Sequence, residues 1–260
     1  MTIKGFVAIL ARIMSEQYPT PNKKQKTRAS ILIDYLIGRD GHELDTYRDP
    51  ELYDKGAHSH LYRRDNLARG VADVAEQHMP HGHKTKVLDI GAGTGILSLE
   101  LAGRDYPVTA MDLFASQLGR LSKKAEDQGL TDKVTPVEAD MNCEFPFEDG
   151  EFGTVVSLRA NRYVKNFGHW LGEAHRVMEP GGTLVLPVFA VDIVPWKRNS
   201  DEGIYQPTSR NAVIRAILDS GFEVDEQASV RYSQSVNQNL GQRDVPFYYK
   251  PSFVVAEAQQ

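Results

Sequence analysis

From residue 86 onward the chain alternates short apolar runs with amphipathic stretches. KVLDI (86–90), PVTAMD (107–112), VTPVEAD (134–140), FGTVVSL (152–158) and TLVLPVF (183–189) are predicted strands. Between them, ILSLELA (96–102) is a predicted helix, and Phe114, Leu118, Leu121 and Ala125 fall on one face of another, which Gly129 can end as a left-handed cap. A third stripe, Phe167, Trp170, Leu171, Ala174, Val177 and Met178, stops at Glu179-Pro180-Gly181-Gly182. The order βαβαβ followed by βαβ is the sequence form of a parallel sheet joined by crossover helices. Beyond it come a loop over 189–208, the helix SRNAVIRAILDSG, and two last strands near FEVDEQASV and SFVVAEA, the latter expected to begin after Pro251.

The first eighty residues lack strand-like runs and are broken by the proline-bearing loop YPTPNKKQK. Leu67, Val71, Val74, Ala75 and His78 recur at helical spacing up to Pro80. These features predict a helical N-terminal cap over 1–80 in front of an α/β domain over 81–260. Arg12 interrupts the apolar start MTIKGFVAILARIM, which reads as a helix rather than a leader, and no segment has the roughly 18 to 20 apolar residues of a membrane span. The basic cluster Lys23, Lys24, Lys26 and Arg28 is followed by acids and reads as a solvated loop.

Charge and cysteine content narrow the classes. Thirty basic against 35 acidic side chains give a net charge of -5, so no overall basic field exists to hold a nucleic acid. The single Cys143 excludes an intrachain disulfide or a cysteine-rich metal site and leads us to expect a reducing, cytoplasmic setting. With 41% hydrophobic and 25% charged residues the composition is that of a globular chain.

The chemistry concentrates in VLDIGAGTG (87–95), three glycines where a buried strand turns into a helix, joined by Asp112 at the end of the second strand. A strand-end carboxylate of this kind can accept both hydroxyls of a ribose. Ile96 stands where the dinucleotide fingerprint G-x-G-x-x-G requires glycine, and no G-x-x-x-x-G-K-[ST] occurs, so neither NAD nor a nucleoside triphosphate fits the pattern well.

At these residues the chain resembles the class I S-adenosylmethionine-dependent methyltransferases. The likeness continues through MDLF (111–114), EADMNCEFPFEDGEFGTVVS (138–157) and EAHRVMEPGGTLVL (173–186), with FPFEDGEF and RVMEPGG similar to the small-molecule, quinone-biosynthesis branch. The resemblance implies a Rossmann-like seven-stranded sheet, mostly parallel with one antiparallel strand near its edge, and S-adenosylmethionine as cofactor. It places Gly91, Ala92 and Gly93 against the methionine part, Asp89 near the ammonium, Asp112 on the ribose hydroxyls and Leu113 on adenine. Asp140 would accept from the adenine amino group, the Met141 N–H would face a ring nitrogen, and Leu158, between Ser157 and Arg159, would border the sulfonium.

Two departures stand out. Gly153 occupies a position where relatives carry aspartate, which predicts an effect on stability at the far end of the fourth strand; Arg162-Tyr163 replace a His-His pair, removing a histidine base. Base candidates are Tyr53, His58, His60, Tyr62, Arg159 and Tyr163, needed only for a hydroxyl or acidic-carbon acceptor. Tyr47, Tyr53, Tyr62, Trp196 and Tyr205 could roof an acceptor pocket. His78, His81 and His83 precede the first strand and read as an exposed connector with no metal, and no Asn-Pro-Pro-aromatic run of a base-flipping enzyme follows the fourth strand. The expected function is methyl transfer to a small organic acceptor. A nucleotide-binding oxidoreductase and a catalytically silent cofactor-binding protein are the alternatives.

Overall fold

Short, fully buried strands dictate the architecture. The computed structural model describes residues 64–79, 85–189, 210–230 and 251–259, and the chain divides into two compact units, Met1–Arg48 and Asp49–Gln260. All described residues belong to the second. Its elements run α1 (Arg64–His78), β1 (Val87–Ile90), α2 (Ile96–Gly103), β2 (Val108–Asp112), α3 (Ala115–Asp127), β3 (Val134–Glu138) and β4 (Phe152–Val156). They continue with a 3-10 turn (Asn161–Tyr163), α4 (Phe167–Arg176), β5 (Met178–Phe189), α5 (Arg210–Asp219), β6 (Phe222–Val224) and β7 (Pro251–Ala258).

The seven strands form one sheet in the order β3-β2-β1-β4-β5-β7-β6. β1 through β5 are parallel, and β7 alone runs antiparallel, between β5 and β6. This is the expected arrangement. Every residue of β1 and of β4 is buried, because helices cover both faces of a parallel sheet, whereas the edge strand β3 is mostly exposed and tolerates Pro136.

Leu88, Ile90, Met111, Val155, Leu184 and Leu186 face one core with Trp170 and Leu171 of α4 and Val213 and Ile217 of α5. On the other side α1 packs on α2 and β5, so the stripe of Leu67, Val71, Val74 and Ala75 is buried as its spacing predicts. Arg104 reinforces that pairing through Asp73, Glu76 and Glu100. The predicted α3 face holds too: Leu118, Leu121 and Ala125 are buried, and Gly129 takes the left-handed conformation.

Three expectations need correction. Glu179-Pro180-Gly181-Gly182 does not separate helix from strand; α4 ends at Arg176, and the four residues form an irregularity inside a β5 that starts at Met178. FEVDEQASV is not one strand. β6 covers three residues, after which Asp225 caps a helical segment over 226–230, its side chain accepting the Ala228 N–H at 2.8 Å. β7 begins at Pro251 itself, where β5 is its one strand neighbour, so the missing N–H removes no bond on the β6 side.

Gly153, at the start of β4, donates its N–H to the Lys86 carbonyl, and a Cβ there would overlap the Thr85 hydroxyl and the Glu179 carboxylate. The space a side chain would need is filled by Thr85 and by Glu179, reaching across from β5.

Candidate active site

The site is built where β1, β2, β3 and β4 end, on the carboxyl side of the parallel strands, the place where open α/β sheets hold ligands. After β1 the chain turns through Gly91, Gly93 and Gly95, all at positive φ. The Gly91 and Ala92 N–H groups both donate to the Met111 carbonyl, which ties the turn to β2. Gly91 lies so close to the segment after β4 that a Cβ on it would overlap the Ala160 side chain, and a Cβ on Gly95 would overlap Leu121 of α3. Glycine is therefore required here by both conformation and space.

Asp112 ends β2 with one carboxylate oxygen accepting the Gly93 N–H at 2.8 Å and the other accepting the Phe114 N–H at 3.0 Å. Burial pushes its pKa up, and the N–H groups of Phe114, Gly93 and Leu113 partly offset that. Each oxygen keeps accepting capacity for a further donor. The next residue, Leu113, is an apolar side chain left 49% exposed, and it sits beside the carboxylate.

Asp89 is buried within β1, and its carboxylate accepts the Ser98 hydroxyl of α2 at 2.6 Å. Burial raises its pKa to about 7; the Ser98 bond lowers it and the nearby Asp112 charge raises it again. Asp140, after β3, accepts both the backbone N–H and the side-chain amide of Asn142 on a single oxygen, at 2.9 and 3.0 Å. Met141 is half-buried against the sheet core.

β4 delivers the last part. The Ser157 hydroxyl donates to the Ile90 carbonyl at 3.0 Å, joining β4 to the glycine turn. Leu158 and Arg159 are half-buried, and Arg159 adopts a left-handed φ of 68°, uncommon for a side chain of this size. Asn161 follows, buried, with its side-chain oxygen unpartnered among the described residues.

The structure thus brings Asp89, Gly91, Ala92, Gly93, Asp112, Leu113, Asp140, Met141 and Leu158 to one end of the sheet. Sequence reasoning passed over Ser98, Asn142 and Asn161. Tyr163 is half-buried at the end of the 3-10 turn. His78 lies at the other end of the sheet, its carbonyl accepting the Thr183 hydroxyl. Tyr47, Tyr53, His58, His60, Tyr62, His81, His83, Trp196 and Tyr205 lie outside the described residues. Among the described residues no group of His, Cys, Asp and Glu is arranged to hold a metal ion, and no helix is long and apolar enough to cross a membrane.

Residues 88–186 match the family described as methyltransferase domain. The ubiquinone/menaquinone biosynthesis C-methyltransferase UbiE of Rhizobium johnstonii is 34% identical over 131 residues, 49% of this chain and 49% of that protein. The chain thus spans about half the length of this curated relative. Two solved structures share the fold. The [4+2]-cyclase SpnF superposes with a TM-score of 0.54 at 18% identity, covering 74% of this chain and 81% of that one. Geranyl diphosphate C-methyltransferase from Streptomyces coelicolor superposes with a TM-score of 0.52 at 16% identity, covering 72% of this chain and 77% of the other.

Proposed function

We propose that this chain, whose residues 88–186 match a methyltransferase domain, is a class I S-adenosylmethionine-dependent methyltransferase that transfers a methyl group to a small organic acceptor. The observation that carries this is the Asp112 carboxylate, fixed by two N–H groups at a strand end directly beside a glycine turn. A ribose diol needs such a paired acceptor, and the left-handed glycines bring backbone within reach of the rest of the cofactor. The exposed Leu113 fits the same ligand as an apolar platform.

In this reading Asp89 holds the ammonium and the backbone of Gly91, Ala92 and Gly93 lines the methionine part. Asp112 takes the ribose hydroxyls and Leu113 packs on adenine. Asp140 accepts from the adenine amino group, the Met141 N–H meets a ring nitrogen, and Leu158 borders the sulfonium. When bound, S-adenosylmethionine supplies a methyl already activated on sulfur. The chain's own task is then positional: to hold the acceptor in line and keep water away, an effect of roughly 7 to 11 kcal/mol for well-oriented reactants. No general base is built into this reading; of the base candidates, Arg159 and Tyr163 fall among the described residues.

The acceptor is proposed as a small molecule because the relative in quinone biosynthesis and the geranyl diphosphate enzyme are both named for such substrates. SpnF, named as a cyclase, carries the same fold, so turnover must be measured rather than inferred from architecture.

The test is calorimetry followed by label transfer. S-adenosylhomocysteine should bind with micromolar or tighter affinity and NADH negligibly, and methyl-labelled cofactor should pass label to a metabolite pool. Equal binding of both nucleotides, or of neither, sinks the cofactor assignment. Binding without any label transfer would favour a silent cofactor-binding protein.

A further inference from the structure

Asn142 sits two residues beyond the carboxylate assigned to the adenine, and its hydrogen-bonding capacity is filled in two directions. Its side-chain oxygen accepts the Lys165 N–H at 2.7 Å. That bond fixes which way the amide points, since an N–H can only meet the oxygen. The amide nitrogen consequently faces Asp140 and the Tyr163 carbonyl, donating to Asp140 Oδ1 at 3.0 Å and to Tyr163 O at 3.4 Å. The backbone N–H of Asn142 donates to the same Oδ1 at 2.9 Å, and the turn closes with the Cys143 N–H on the Asp140 carbonyl.

Both donations fall on one carboxylate oxygen. Oδ1 of Asp140 is held twice, while Oδ2 takes no hydrogen bond from any described residue. A carboxylate anchored on one oxygen presents the other in a fixed direction, and a free carboxylate would rotate about its Cβ–Cγ bond, where the torsion is soft. The same amide joins this turn to the segment following β4, which contains Tyr163 and Lys165 and begins at the residues bordering the glycine turn.

We propose that Asn142 is a positioning residue for cofactor selection: it pins Oδ1 of Asp140 so that Oδ2 is aimed at the exocyclic amino group of the adenine, and it locks that turn to the 161–165 segment. The proposal rests on the cofactor reading above and deepens it. Its chemical content is a preference for a 6-amino purine over a 6-oxo purine. An amino group donates to Oδ2, whereas a carbonyl oxygen at that place would set acceptor against acceptor.

The experiment compares S-adenosylhomocysteine with S-inosylhomocysteine, which carries oxygen in place of the 6-amino group, by calorimetry on the full chain. The wild-type protein should favour the adenosyl form by at least tenfold. Asn142→Ala should weaken adenosyl binding about tenfold, leave inosyl binding within about twofold, and so collapse the ratio; loss of a hydrogen bond to a charged group is of this size. A side chain that merely stabilises the turn would weaken both ligands alike. If the ratio survives in Asn142→Ala, or if neither affinity moves, the proposal is overturned.

Should Asn142→Ala fail to fold, Asn142→Asp carries the same test. It keeps the acceptor for Lys165 and nearly the same volume but sets a second carboxylate against Asp140, so adenosyl binding should fall more than inosyl binding. Equal falls overturn the proposal here also. A wild-type protein that binds neither ligand would overturn the cofactor reading itself, a distinct outcome from binding with an unchanged ratio.

Discussion

Gly91 and Ala160 meet with no room for a second methyl between them: the first residue after β1 lies against the segment after β4, at a φ of 73°. Gly91→Ala should therefore be costly twice over. A left-handed conformation costs an alanine roughly 1–2 kcal/mol, and the overlap must part the two strand ends that form the site. We expect a lower melting temperature and at least tenfold weaker S-adenosylhomocysteine binding. Gly103→Ala, at an open position in the last turn of α2, is the companion and should leave binding unchanged without lowering the melting temperature; wild-type binding by Gly91→Ala would show that the close approach has no part in the site.

Asp112→Ala should weaken cofactor binding by about tenfold to a hundredfold, since bonds to a charged acceptor contribute roughly 1.5–3 kcal/mol. Asp112→Asn should lose less, because its amide oxygen still accepts. Lys133→Ala removes an exposed ion pair with Asp105 and should bind normally. Titration of the three variants decides the matter, and undiminished affinity in Asp112→Ala would reduce the carboxylate to a cap for Gly93 and Phe114.

Asp89 predicts a pH dependence with a definite sign. Its pKa rises from 3.8 to about 7 on folding, so it contributes stability that is complete below pH 4 and lost as pH climbs through 7. Unliganded Asp89→Asn should thus melt higher than wild type above pH 7, with the gain shrinking toward pH 4. The cofactor ammonium favours the ionised carboxylate, so wild-type affinity for S-adenosylhomocysteine should fall as pH drops from 8 to 6, and Asp89→Asn should flatten that profile. Ser98→Ala removes a bond that favours the charged form and should move the midpoint upward. A flat wild-type profile would place the ammonium elsewhere.

Gly153→Asp restores the residue expected at that place, yet it should destabilise this protein because Thr85 and Glu179 already occupy the space. The expected loss, a few kcal/mol as for overpacked interiors, should appear in thermal unfolding with cofactor affinity unaltered. Combining it with Glu179→Ala should recover part of the loss. A variant as stable as wild type would mean that the Glu179 side chain gives way freely.

Much of this is legible in the sequence. β1, β2 and β4 announce themselves as apolar runs because a strand covered on both faces needs nothing but apolar side chains, and the glycine turn because only glycine adopts its backbone. The two motifs FPFEDGEF and RVMEPGG proved to be one structural unit: Arg176 of the second donates to the carbonyls of Phe145 and Phe147 and pairs with Asp149 of the first. That contact joins residues far apart in sequence, and no local pattern carries it. Ser98 and Asn142 escaped notice for a related reason. A serine in a helix and an asparagine in a turn have ordinary local explanations, and their importance lies in which carboxylate they face. FEVDEQASV misled because its apolar ends suggest a strand, although Asp225 followed by Glu226 carries a helix-start signal.

The strands do not lie in the sheet in the order in which the chain is made. β7 slots between β5 and β6, so until β7 has been made the backbone of β5 has one bare edge, and the three residues of β6 have no other strand neighbour among the described residues. An unpaired edge, with its free backbone N–H and C=O groups, invites pairing with other chains. A nascent molecule therefore has its glycine turn early and its bare β5 edge until β7 arrives, and aggregation during synthesis should track how long β7 is delayed rather than how well the glycine turn is formed.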